Sequence, residues 1–308
     1  MSVMDSLSRH AALSFEVFPP RTDAGMEALC GRDGVIDRLY TLEPDCIFCA
    51  CGSGGSDAGK SLAVLQKVAG DGRVIGATNL PCAGSTKAGI QNLLHAYLEH
   101  GIRHVQVLCG DSPLCLAAAG SDLLCTTDLV AWIRREFGSA FTIAVSASPQ
   151  GNITSRPPEA DIASLKQAQD CGADYIITQP CWDMDSFRYW LDAIRAAGIR
   201  MPVEVGVLPV LDQAEIISAI LSRSGSVMPE TLSVLISEHW IYPNPFAKDP
   251  FDADAERKKA DFRKAGIEYT IRQIRQYRAC GADGIHLLTQ NQFGDIALIT
   301  KESGLTSC

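Results

Sequence analysis

Short apolar runs recur along the chain at 13–18, 46–51, 74–80, 104–109, 141–146, 175–179, 203–208 and 284–288, and each reads as a buried strand. Between them the apolar positions change to helical spacing. In 86–101, Leu93, Leu94, Tyr97 and Leu98 fall on one face, and 161–172, 185–198 and 262–281 carry the same period. These stretches end at Gly101, Gly172, Gly198 and Gly281, just before the next strand, where a left-handed helix terminus is expected. The strands read as apolar on both faces, as buried parallel strands do. Eight strand–helix units predict an α/β fold: a single (β/α)8 TIM barrel, with residues 1–308 as one domain. A doubly wound open sheet is the alternative. Residues 240–252 hold three prolines and are expected to form an insertion between strands seven and eight.

Composition narrows the class. Hydrophobic residues are 46% and charged residues 20% of the 308, which suits a soluble globular protein. The net charge of −9 argues against nucleic acid or an anionic membrane as partner, since phosphate binding needs clustered Lys and Arg. No apolar run approaches the roughly 20 residues of a membrane helix. Twelve cysteines spread over this length, behind a polar 1–10 segment, are expected to be reduced thiols of a cytoplasmic protein.

In such a barrel the chemistry lies where the strands stop. Glu16 is the sharpest signal there. It is a carboxylate in an apolar strand, flanked by Phe15 and Phe18, and desolvation would suit it to general acid work; a structural Glu is the alternative. Asp111 follows Gly110 at the end of strand four, where glycine permits close ligand approach, although Gly-Asp is also ordinary turn chemistry. Gln179 ends strand six and offers the donor and acceptor that read a heterocyclic amide edge. Cys46 and Cys49 point to opposite faces of an extended strand and cannot chelate together. Cys51, Cys82, Cys109 and Cys181 all fall near strand ends, but packing explains them better than a metal does, and no metal is assigned. The glycine-rich 52–56 segment after strand two could approach a phosphate or nicotinamide.

Taken together, Phe15-Glu16-Val17-Phe18-Pro19-Pro20-Arg21-Thr22, Leu108-Cys109-Gly110-Asp111-Ser112-Pro113, Ile177-Thr178-Gln179 and Gly206-Val207-Leu208-Pro209-Val210 resemble the methylenetetrahydrofolate reductase family, in order and over nearly the whole chain. The resemblance implies an oxidoreductase of one-carbon metabolism that reduces 5,10-methylenetetrahydrofolate to 5-methyltetrahydrofolate with NADH or NADPH, usually through bound FAD. By that resemblance Glu16 is the general acid, Asp111 contacts the pterin and tunes the flavin, and Gln179 contacts substrate or nicotinamide. Gln292 stands where the family has an arginine near the folate. Gly52, Asn79, Cys109, Gly110, Ser148, Asn152 and Asp161 fall at the cofactor positions. A tetrahydrofolate substrate, and a second copy of the chain or another one-carbon protein, are the implied partners.

The departures gather on the flavin. Cys109 replaces an arginine, Asn79 and Pro81 interrupt a His-Leu-Thr-Cys pattern, and Ala147-Ser148-Pro149-Gln150-Gly151-Asn152 replaces Ala-Tyr-Pro-Glu-x-His. After Asp161, Gln167 and Ala168 stand at basic positions and leave Lys166 as the nearby cation. Each lost charge-assisted hydrogen bond to a diphosphate is worth roughly 1.5–3 kcal/mol, so any FAD is expected to be held weakly unless backbone amides at 52–56 or 155–160 take over. Two other readings follow: a flavin-free barrel that binds a reduced folate for methyl transfer with a corrinoid or metal partner, and a catalytically degenerate subunit of a complex.

Overall fold

The computed structural model describes residues 3–9, 11–50, 58–81, 86–108, 125–151, 158–221, 227–240 and 255–306. Its strands are β1 (Ala12–Val17), β2 (Cys46–Cys49), β3 (Ile75–Pro81), β4 (His104–Leu108), β5 (Thr142–Ala147), β6 (Tyr175–Thr178), β7 (Val203–Val207) and β8 (Gly284–Leu288). Each pairs in parallel with the next, and β1 pairs with β8, so the sheet is a closed eight-stranded barrel. The open-sheet alternative is thereby removed. The helices are α1 (Val3–Arg9), α2 (Asp23–Cys30), α3 (Val35–Leu39), α4 (Ala58–Asp71), α5 (Lys87–Glu99), α6 (Thr126–Phe137), α7 (Pro158–Asp170), α8 (Met184–Ala196), α9 (Gln213–Leu221), α10 (Glu230–Glu238), α11 (Ala255–Ala279) and α12 (Gly294–Glu302).

Every strand lies within two residues of its expected place, and the four helix-ending glycines all have positive φ, from 76° to 101°. Between β7 and β8 the chain adds α9, α10 and the long α11. The proline-rich segment, from residue 241 onward, lies outside the described residues. At the carboxyl ends of the strands, loops run into capped helices. Thr22, Thr86 and Asp183 each accept a backbone N–H of the first turn of α2, α5 and α8, which fixes where those loops end.

Of the three buried hydrophobic clusters among the described residues, two line the two faces of the barrel wall. Outward residues such as Leu13, Phe15, Val17, Ile47, Cys49, Val105 and Val205 pack under the helices. Inward residues Ala12, Cys46, Phe48, Ala77, Ala144, Tyr175 and Ile177 fill the barrel, and Val3 and Leu7 of α1 join them from below. Cys46 and Cys49 thus do face opposite ways. The expectation of strands apolar on both faces needs correction, because the inner face also carries Ser14, Glu16, Asn79, Gln106, Ser146, Glu204 and His286. Barrel interiors take in polar side chains where eight strands can partner them. Two glycines are demanded by close approach. A Cβ on Gly206 would lie 2.1 Å from the Thr178 carbonyl oxygen, and one on Gly266 would lie 1.7 Å from that of Val210.

Candidate active site at the barrel mouth

Glu16 is the last inward residue of β1, and alternation places Phe15 on the opposite face, beneath the helices. Phe18 is 37% exposed. The two rings therefore do not enclose the carboxylate, as the sequence suggested. Polar groups do. Asn79 of β3 donates through Nδ2 to Glu16 Oε1 at 3.2 Å, and His286 Nε2 of β8 lies 3.1 Å from Oε2. The Glu16 side chain is only 12% exposed and that of His286 3%. The Glu16 carbonyl is held as well, by the Thr289 amide at 3.0 Å and its hydroxyl at 2.7 Å. Behind His286, Ser14 Oγ lies 2.6 Å from Nδ1. The imidazole and the Phe48 ring pack edge to face, with ring centroids 4.9 Å apart.

Of the other expected site residues, Gln179 sits at the end of β6 with its side chain exposed, donating to Ser146 Oγ at 3.1 Å. Ser148 and Gln150 follow β5. Asp161 lies half-buried in the first turn of α7. Gln292 follows β8, and Arg263 of α11 donates to its Oε1 at 2.7 Å. Arg263 also pairs with Asp295. A guanidinium thus reaches the rim where the family resemblance has an arginine, but from a helix rather than from the strand end. Gly52, Cys109, Gly110, Asp111 and Asn152 lie outside the described residues.

Sequence reasoning missed His286, Ser14, Arg263 and Asn291. Asn291 makes two hydrogen bonds to the Phe18 backbone and, like Gln290, has positive φ. Two adjacent left-handed non-glycine residues mark local strain at the rim of the site.

A flavin dinucleotide needs partners for its ring edge and for its diphosphate. Asn79 Oδ1 and Gln150 Oε1 are buried without partners among the described residues, so the mouth holds open acceptors that suit ring N–H groups. The diphosphate fits less well. Lys166, the cation the sequence left for it, bonds Asp170 one turn along α7. Cys181 is buried with its thiol pushed up to about 12 by desolvation, which disfavours the thiolate a metal would need. Among the described residues no cluster of His, Cys, Asp and Glu could hold a metal ion, and no helix is long and apolar enough to cross a membrane.

Comparison with known proteins gives a consistent set. The methylenetetrahydrofolate reductase family model matches residues 3–304. Methylenetetrahydrofolate reductase 1 of Schizosaccharomyces pombe is 28% identical over 295 residues, covering 95% of this chain and 46% of that protein. Methylenetetrahydrofolate reductase (NADH) 1 of Arabidopsis thaliana is 28% identical over 308 residues, covering 94% and 49%. The chain spans about half the length of these curated relatives. The 5,10-methylenetetrahydrofolate reductase of Salmonella typhimurium is 30% identical over 198 residues, 64% of each chain. Among solved structures, an uncharacterized Clostridium thermocellum protein that binds two copies of 5-methyl-5,6,7,8-tetrahydrofolic acid superposes with a TM-score of 0.59 at 12% identity. The match covers 97% of this chain and 96% of that one, and it is a likeness of fold.

Proposed function

The chain belongs to the methylenetetrahydrofolate reductase family, and from that membership we propose that it reduces 5,10-methylenetetrahydrofolate to 5-methyltetrahydrofolate with hydride from NADH or NADPH. The observation that carries this reading is the setting of Glu16: a nearly buried carboxyl at the strand ends, bonded by Asn79 and backed by His286. Opening the imidazolidine ring needs a proton on a ring nitrogen before a hydride can reach the exposed iminium carbon, and a carboxylic acid in hydrogen-bond reach supplies it. Glu16 gives that proton. Asn79 and His286 hold the carboxyl in one orientation and stabilise it once the proton has left. Asp111 and Gln179 take the amino-pyrimidinone edge of the pterin, with Gln292 and Arg263 toward the folate tail. NAD(P)H is the source of the hydride; FAD, if its ring edge were held by Asn79 and Gln150, would supply two-electron redox chemistry between the nicotinamide and the folate.

The test is an anaerobic turnover assay of the purified protein with methylenetetrahydrofolate and each nicotinamide, with the folate product separated and identified. Formation of 5-methyltetrahydrofolate in proportion to NAD(P)H oxidised supports the reading. Tight methyltetrahydrofolate binding with no oxidation of either nicotinamide would instead favour a methyl-transfer barrel.

A further inference from the structure

Deeper in the barrel than Glu16 lies a second carboxyl for which ring opening has no use. Glu204 of β7 is completely buried. It occupies space left by Gly284 on the neighbouring strand, where a Cβ would come within 3.2 Å of its Cγ. The groups that face it are Ser14 of β1, Asp45 and Cys46 at the start of β2, Tyr175 of β6 and His286 of β8. Ser14 approaches the carboxyl, but neither carboxyl oxygen completes a hydrogen bond among the described residues, and neither does the Tyr175 hydroxyl. No Lys or Arg is among these neighbours. An ionised carboxylate in such a place would be untenable, whereas a neutral carboxylic acid needs only an acceptor for its one proton. Burial accordingly pushes Glu204 above the usual carboxylate range, opposed by His286 only when that ring is charged and by Ser14 only when its hydroxyl donates to the carboxylate.

Ser14 is the acceptor at hand. Its Oγ is engaged on one side by His286 Nδ1 at 2.6 Å, and a hydroxyl has one donor and two lone pairs. If Glu204 donates to Ser14, the buried Ser14 hydroxyl keeps an acceptor for its own proton by donating to Nδ1; accepting from an Nδ1–H as well would leave that proton without a partner among the described residues. The imidazole must then carry its own proton on Nε2, which is the nitrogen 3.1 Å from Glu16. We propose that Glu204 is a positioning residue: as a neutral acid donating to Ser14, it sets the direction of the line Glu204, Ser14, His286, Glu16, and holds His286 as the Nε2–H tautomer that donates to the catalytic carboxyl. The tautomer of a histidine is fixed by the bond its other nitrogen makes. Here that bond is itself fixed by a buried acid two residues removed.

The proposal deepens the reading of Glu16 as the acid, and its kinetic arm rests on that reading; its spectroscopic arm does not. Nitrogen-15 NMR of imidazole-labelled protein should show His286 protonated on Nε2 in the parent and in Glu204→Gln, whose amide N–H₂ still donates to Ser14. Glu204→Met and Ser14→Ala should show a mixture of tautomers or the Nδ1–H form. In turnover, Glu204→Met should lower kcat by about tenfold, the scale of one hydrogen bond, with KM for the folate unchanged, and Glu204→Gln should restore it. Combining Glu204→Met with Ser14→Ala should cost no more than either alone. A pure Nε2–H signal in both Glu204→Met and Ser14→Ala would overturn the proposal even if the parent proved to have no reductase activity. So would folded Glu204→Gln and Glu204→Met proteins equally impaired in kcat. Absent turnover with the expected tautomer changes would leave the line intact and refute only the assigned reaction.

Discussion

The side-chain amide of Asn291 closes a two-point clamp on the backbone of Phe18: its Oδ1 accepts the Phe18 N–H at 2.9 Å and its Nδ2 donates to the Phe18 carbonyl at 2.8 Å. The clamp ties the loop leaving β1 to the loop leaving β8, immediately beyond Glu16. Asn291 reaches it only by adopting φ of 57°. Asn→Gly keeps that conformation and removes both bonds, so it should cost about 1–2 kcal/mol in urea unfolding. Asn→Ala should cost about 1 kcal/mol more, from left-handed strain. Equal losses for the two variants would mean that the backbone conformation is relaxed.

Glu16→Gln preserves the bond from Asn79 and the side-chain volume while removing the transferable proton. Reduction of methylenetetrahydrofolate should fall by about 10²–10⁴-fold, with circular dichroism unchanged. A folded variant turning over at the parent rate would make Glu16 a structural residue.

Among the described residues the Gln179 side chain is held at its tip, by Ser146, and is exposed at the mouth. If it reads the pterin edge, Gln179→Ala should weaken 5-methyltetrahydrofolate binding by about 1–3 kcal/mol in calorimetric titration, because the ligand's amide is then left unpaired. An unchanged dissociation constant would move the pterin elsewhere.

His104, at the start of β4, is 8% exposed, and burial lowers its pKa from 6.5 to about 4. The native imidazole is therefore neutral over a range in which the unfolded one is charged. Between about pH 6.5 and 4 the unfolded chain binds the extra proton, so stability must fall as pH falls. The loss from this one group is about 3 kcal/mol in full. Chemical denaturation of His104→Gln across that window should show a shallower decline than the parent; parallel curves would assign the acid sensitivity to other groups.

Lys166, the cation that the sequence left for an FAD diphosphate, is an exposed side chain shared with Asp170, so any FAD is expected to be held weakly. Equilibrium dialysis should give a micromolar dissociation constant. A nanomolar value, or stoichiometric flavin surviving purification, would show that backbone amides carry the phosphates instead.

The barrel was readable because its outer face is apolar on all strands but β3 and β6, where Thr78 and Thr178 intervene, and its helix ends carry glycine. Much of the site was not readable. Glu204 and His286 are single polar residues at alternate positions of Val-Glu-Val-Gly-Val and Gly-Ile-His-Leu-Leu, the same signal that singled out Glu16. Their importance depends on which strands become neighbours, and no local period records that. The apolar surroundings assigned to Glu16 failed for a related reason: Phe15 is adjacent in sequence but belongs to the other face. Arg263 lies on a long polar helix, where one cation among many looks like a solvated surface until the fold brings Gln292 beside it.

Closure of β1 on β8 joins Ser14 to His286 across 272 residues, and Glu16 to the same ring across 270. During synthesis, Glu16 emerges 270 residues before the imidazole that partners it. A nascent chain stopped before Gly284 would present β1 and β7 as bare sheet edges, with Glu16 facing a gap in place of His286. Such an intermediate already holds seven of the eight strands, yet it lacks the Glu16–His286 pair. If Glu16 is the acid proposed, competence to transfer a proton arrives only when β8 joins β1, and it reports that the barrel has closed.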